Sequence, residues 1–106
     1  MSRKAQILEM LTDNPKDSFL LFALAKEHEK EDNWENAIEQ YNKIAEHDPD
    51  YLGRYFHHAA ALIEIEGEEN EIKEIYRQGI ELANDTQDHH AKAELQNAFM
   101  NWEMEL

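Results

Sequence analysis

The stretch DNWENAIEQYNKIAEHDP, Asp32 to Pro49, closes on a proline that stands 34 residues beyond another, Pro15. Both prolines follow a short polar residue, as Asn14-Pro15 and Asp48-Pro49. Inside the stretch Ala37, Tyr41 and Ile44 recur at the spacing of one helix face. Punctuation repeated at a fixed interval around an amphipathic segment is the mark of a structural repeat.

Working outward, Ser18 to Glu31 carries Leu21, Leu24, Ala25 and His28 at i, i+3, i+4 and i+7, a second helical stripe. Thirty-five residues on stand Phe56, Ala59, Ala60 and Ile63, and the counterparts of Ala37, Tyr41 and Ile44 are Ile72, Tyr76 and Gly79. The prolines are 34 apart and the stripes 35, so the second unit holds one extra residue, expected in the Asp50–Gly53 connection, where a loop absorbs it cheaply. Each unit reads as two antiparallel helices joined by a tight turn. Asp32 is the expected N-cap of the second helix, with Glu35 three residues later in a capping-box spacing. Gly67 holds the corresponding place in the second unit and suits a left-handed turn. Pro15 and Pro49 suit the first turn of the helix that follows each.

A helix pair repeating at this interval resembles the tetratricopeptide repeat. The resemblance rests on Leu21, Leu24, Ala25, His28, Ala37, Tyr41, Ile44 and Pro49, in order and spacing, and on DNWENAIEQY, which is similar to the family's GDYEEAIEAY turn with Trp34 for a tyrosine. In the second unit Phe56, Ala59, Ala60, Gly67 and Tyr76 fit, whereas Ile72 and Gly79 stand for alanines and Asn84 for the proline. The resemblance implies an all-α helix-turn-helix solenoid, a right-handed superhelix of about six helices in a single domain. Residues 1–14 would be a half-repeat helix, 15–49 and 50–85 two repeats, and 86–106 a capping helix carrying Ala91, Leu95 and Ala98 and then Phe99, Trp102 and Leu106. The chain looks like the small stand-alone bacterial members of the family.

Composition agrees with helices: 42% of the chain is hydrophobic and 32% charged, with only three glycines and two prolines. The formal charge of −14 repels phosphate backbones and anionic lipid, so neither nucleic acid nor membrane is an expected partner, and a basic or mixed-charge protein or peptide is. With no cysteine there is no disulfide and no thiolate site. The N-terminal apolar stretch is too short for a signal peptide, and a cytoplasmic location is the expectation. The adjacent pairs His57-His58 and His89-His90 point about 100° apart on a helix. His90 and Glu94 make at most half a metal site. No metal, no cofactor and no catalytic residue are expected, and no glycine-rich phosphate loop, HExxH or nucleophile elbow occurs.

In the family the first helix of each pair lines a concave groove. The resemblance therefore implies groove positions at Phe19, Phe22, Lys26 and Glu29 in the first repeat and at Arg54, His57, Ala61 and Glu64 in the second. Lys26, Arg54 and His57 would form a basic cluster beside two phenylalanines, a surface suited to a peptide. Members that clamp a C-terminal carboxylate carry Lys and Asn where Phe22 and Lys26 stand here, so that clamp is not reproduced. The function implied is a non-enzymatic interaction module or adaptor, a monomer rather than a homodimer. The alternative is a structural homo-oligomer assembled through Phe99 and Trp102 of the last helix, without a peptide ligand.

Overall fold

The computed structural model describes residues 2–106, and among them every regular element is a helix. These are α1 (Arg3–Asp13), α2 (Ser18–Lys30), α3 (Trp34–His47), α4 (Gly53–Glu64), α5 (Glu69–Asp85) and α6 (His89–Met104). The chain divides into two compact units, the first running up to Arg54 and the second comprising Tyr55–Leu106.

Four of the helices, α1, α2, α3 and α6, begin on side-chain caps. The Ala5 N–H donates to Ser2 Oγ, Leu20 to Asp17 Oδ1, Asn36 to Asn33 Oδ1 and Ala91 to Asp88 Oδ1, at 3.0–3.4 Å. Each such cap contributes about 1 kcal/mol. Pro15 and Pro49 do not open the next helix. They lie three and four residues ahead of Ser18 and Gly53, directly after the C-caps Asn14 and Asp48. A proline pushes the residue before it out of the helical region, and both C-caps sit at φ near −140° and ψ near 65°. The prolines stop helices rather than start them.

Three reversals share one construction. Asp32, Glu66 and Gln87 each adopt a left-handed φ, of 57°, 55° and 59°. The N–H of the next residue then reaches back five positions, from Asn33 to the His28 carbonyl (2.9 Å), Gly67 to Leu62 (2.8 Å) and Asp88 to Ala83 (2.9 Å). This is the Schellman closure of a helix. Asp32 is thus the left-handed residue of the first turn, and Asn33, not Asp32, is the N-cap. In the second turn the left-handed residue is Glu66 rather than Gly67.

This geometry relocates the extra residue. Asp32 and Glu66 are 34 apart, and so are the buried rows. Tyr55, His58, Ala59 and Leu62, exposed by 5% or less, repeat Leu21, Leu24, Ala25 and His28 at that interval. Of the stripe expected on α4, only Ala59 is buried, while Phe56, Ala60 and Ile63 stay partly exposed. The α5 row Ile72, Tyr76, Gly79 does repeat Ala37, Tyr41, Ile44 at 35. The added residue therefore enters at Gly67-Glu68 and not at Asp50–Gly53. Asn33 ends one turn and caps the next helix, whereas Gly67 and Glu68 divide those two tasks, and Glu68 makes no side-chain cap.

In the first unit α2 and α3 pack as an antiparallel hairpin around Leu21, Leu24, Tyr41 and Ile44, closing most tightly where Ala25 and Ala37 are wholly buried. Ser18 Oγ donates to Asp48 Oδ2, joining the start of α2 to the end of α3. Helix α1 docks on α2 through Ile7, against Ala23 and Leu24, with Leu11 partly buried beside them. Two ion pairs flank this contact, Arg3–Glu27 (3.5 Å) and Lys4–Glu31 (2.9 Å). Burying the isoleucine contributes roughly 1.5–3 kcal/mol and exposed pairs at most about 1 each, so Ile7 is the main anchor.

In the second unit α5 and α6 pack together, and Tyr76 lies against Phe99 (ring centroids 5.3 Å, 19°) and Trp102 (6.2 Å, 42°). Gly79 marks the crossing. A Cβ there would lie 2.7 Å from Tyr55 Cβ on α4 and 3.2 Å from Leu95 Cδ1 on α6. The sequence departs from alanine at Gly79 because Tyr55 already fills that space.

Two expectations follow. Gly79→Ala gains about 1 kcal/mol of helix propensity but sets a methyl against a Cβ that no rotamer can move, which costs about 1–3 kcal/mol, so chemical denaturation should show net destabilisation. Glu66→Gly relieves a left-handed residue costing roughly 1–2 kcal/mol and adds a smaller chain-entropy penalty, so its denaturation midpoint should rise.

Candidate functional site

Phe22, Lys26 and Glu29 lie one helical turn apart along α2 and are neither core nor fully exposed. The Phe22 ring is tilted against Tyr41 (6.1 Å, 56°) and Tyr51 (5.7 Å, 50°). Tyr41 is wholly buried and its hydroxyl donates to Glu29 Oε2; Lys26 Nζ binds the other oxygen of that carboxylate at 3.0 Å. Burial first, then the bond to Glu29 and its charge, hold the Tyr41 phenol protonated well above its ordinary range. Tyr51 is shifted the same way by burial, with Asp17 and Asp48 adding to it. The result is an aromatic cluster beside a fixed Lys26–Glu29–Tyr41 chain. Sequence reasoning missed Tyr51, whose one cue is an aromatic residue placed two positions after Pro49.

The other expected groove positions are distributed differently. Phe19 is 66% exposed and borders a hollow of about 240 Å³ shared with α1, lined by Ile7, Met10 and Leu20. Arg54 and Ala61 are buried, at 3% and 0% exposure, so neither offers a surface. The cause is the register: counted at 34 rather than 35, the equivalents of Phe22, Lys26 and Glu29 are Phe56, Ala60 and Ile63. These three, with His57, are the partly exposed residues of α4. His57 is partly buried and meets the Phe56 ring edge-on at 5.3 Å, and Glu64 is exposed. The expected basic cluster of Lys26, Arg54 and His57 is not a surface feature, since Arg54 is inside and Lys26 is paired with Glu29.

At the other end, Trp102 is buried to 8% and stacks with Phe99 at 6.1 Å and 24°. It is core beneath α6 rather than a contact offered outward, so a Trp102→Glu change would disrupt the second unit instead of reporting on association. His90 Nε2 and Glu94 Oε2 approach to 3.8 Å. Trp34 is partly buried at the first residue of α3.

Consecutive helix hairpins with paired small residues at their crossings, each closed by a left-handed turn, define a helical-repeat protein of the interaction class. No protein-family model and no curated protein matches the chain. Solved structures do. A crystal structure of a tetratricopeptide repeat domain protein from Salinibacter ruber superposes with a TM-score of 0.76 at 34% identity, over 82% of this chain and 96% of that one. A solution NMR structure of a tetratricopeptide repeat domain protein from the same organism gives 0.75 at 34% identity, over 82% and 87%. A Bordetella parapertussis protein matches 99% of this chain and 90% of its own with a TM-score of 0.79; at 17% identity, that is a likeness of fold. The chain belongs to the tetratricopeptide repeat family. Its fold is one of protein interaction rather than catalysis. Among the described residues, no helix is long and apolar enough to cross a membrane.

His28 adds a pH dependence to the first unit. It is buried to 8%, and its Nδ1 is 3.8 Å from Glu31 Oε1. Burial, reinforced by Lys4 and only partly opposed by Glu31 and Glu39, moves its pKa below the usual 6.5. The unfolded chain therefore takes up the proton first as pH falls. Stability present above about 6.5 is lost between that value and the lower folded one. The second unit carries Leu62 at the equivalent place, which makes His28→Leu a well-fitting control. Denaturation midpoints compared at pH 7 and pH 5 should fall less in His28→Leu than in the parent; equal falls would remove His28 as the cause.

Proposed function

We propose that this protein binds an extended or helical segment of a protein partner along the partly exposed face of α2. The observation that carries the reading is the row Phe22, Lys26, Glu29 on α2; the second unit presents its own row, Phe56, Ala60 and Ile63, on α4. All of these residues are partly exposed, and apolar residues predominate among them. An uncovered phenylalanine braced by two tyrosines supplies an anchor of the kind that dominates peptide recognition. Charge indicates the partner's composition. Residues 1–54 hold 12 acidic and 7 basic groups and residues 55–106 hold 12 and 3, so both units are acidic and the second more so. A segment with apolar residues flanked by lysine or arginine suits that field, which also speeds the encounter at low salt. A short face of this kind gives affinity near the micromolar level, roughly −8 kcal/mol.

The test is an affinity capture from native lysate read by mass spectrometry. The parent would be compared with a Phe22→Ala variant whose helicity and melting temperature match it. A protein held by the parent and lost by the variant, with at least tenfold weaker binding when re-measured pure, is the expected result. Equal retention of every captured protein by both chains would move the contact surface off α2.

A further inference from the structure

Side chains of α1, α2 and α3 in the first unit enclose a hollow of about 410 Å³, within the size range of small-molecule sites. Leu8 and Leu11 of α1 and Leu21 and Leu24 of α2 give it apolar sides. Helix α3 contributes Asn36, Gln40 and Lys43, at four- and three-residue spacing, and α2 adds His28. Two of these polar side chains are almost fully buried and short of partners. His28 is 8% exposed, and its Nδ1 makes no hydrogen bond, standing 3.8 Å from Glu31 Oε1. Gln40 is 6% exposed, and among the described residues its carboxamide has one bond, from Nε2 to the Asn36 carbonyl at 3.5 Å. That distance is at the long limit for a hydrogen bond, so most of the amide's donor and acceptor capacity is unused.

The fold does not require polar groups at these two places. In the second unit their equivalents are Leu62 and Ile75, both buried. The first unit therefore keeps a histidine and a glutamine where the same packing is built from leucine and isoleucine. A buried polar group left without a partner destabilises a fold, so it marks a place where water or a ligand completes its hydrogen bonds. Charge narrows the ligand. The chain holds 24 acidic residues, yet none lines this hollow, whereas Lys43 does. The Lys43 pair with Glu39, 3.9 Å between two well-exposed side chains, is loose enough to yield the ammonium to a better partner. Lys43 and Pro15 also border an adjoining hollow of about 480 Å³, where Lys16 and His47 stand with a single acid, Glu46.

We propose that this hollow is a binding site for a small carboxylic acid with an apolar body. The Lys43 ammonium and the Gln40 amide N–H take the carboxylate, and the leucines cover the body. His28 offers one further hydrogen bond, to a hydroxyl carried on that body. An occupant that touches both α1 and α3 also holds α1 in place, adding to the anchorage that Ile7 supplies.

The probe is hydroxyphenylpropionate, titrated into the isotope-labelled full chain and followed by NMR, with its uncharged amide as the comparison. The acid should move the resonances of Leu8, Leu11, Asn36, Gln40 and Lys43 with a Kd of roughly 1 mM or below. It should also slow amide exchange along α1 several-fold. The uncharged amide should bind the parent several-fold more weakly, and that difference should vanish in Lys43→Gln. The double variant His28→Leu, Gln40→Ile uses the residues that the second unit already packs at these places. It should fold at least as stably as the parent and bind the acid at least tenfold more weakly. An acid that shifts none of those resonances overturns the proposal, and so does a preference for the acid that survives in Lys43→Gln. Equal binding of acid and amide by the parent, or undiminished binding by the double variant, would show an adventitious additive only and overturn it as well.

Discussion

A helix that reverses direction within three residues must place one of them in the left-handed region, and much else in this chain depends on that constraint. Asp32, Glu66 and Gln87 accept that conformation without being glycine. The backbone N–H that returns to the carbonyl five residues earlier fixes the end of one helix relative to the start of the next. Once the turn is fixed, so is the rotation of α2 and α4 about their axes. That rotation decides which side chains enter the core. The difference between Arg54 as a surface cation and Arg54 at 3% exposure is one residue of register, about 100° of helix.

The small residues complete what the turns begin. Ala25, Ala37, Ala59 and Ala83 are wholly buried, and Gly79 goes further by giving its side-chain volume to Tyr55. Where the first unit sets Ile44 on α3, the second sets a glycine on α5, and a tyrosine on α4 fills the space. The two repeats therefore reach similar packing with the bulk on different helices. A sequence comparison position by position finds the second repeat weak, although its packing is as closely determined.

Helix number, the hairpin pairing and most of the first-repeat core were legible because each follows from periodicity read over ten or more residues. The site was less legible. The extra residue of the second unit could sit in either of two turns without disturbing the α5 stripe, and the wrong choice displaced four candidate positions together. Both His58 and Tyr55 are polar or amphipathic, so their burial at 2% and 4% ran against the pattern of hydrophobic residues. Phe56 and Ile63, the apolar residues that attracted the core assignment, are the ones left partly exposed. Tyr51 lies in a connection, where periodicity says nothing. At each of these residues local pattern and tertiary position point in different directions.

The thin anchorage of α1 has a kinetic meaning. Its only buried side chain is Ile7, whereas α2 buries six and α3 five. Lifting α1 away thus opposes a small part of the total stability, and it leaves the α2–α3 hairpin intact with its own caps and turn. Amide protons along α1 should then exchange with solvent through local openings that cost far less than global unfolding. The first helix would come and go on a hairpin that stays formed, giving this small protein a hierarchy of stabilities in place of a single cooperative transition.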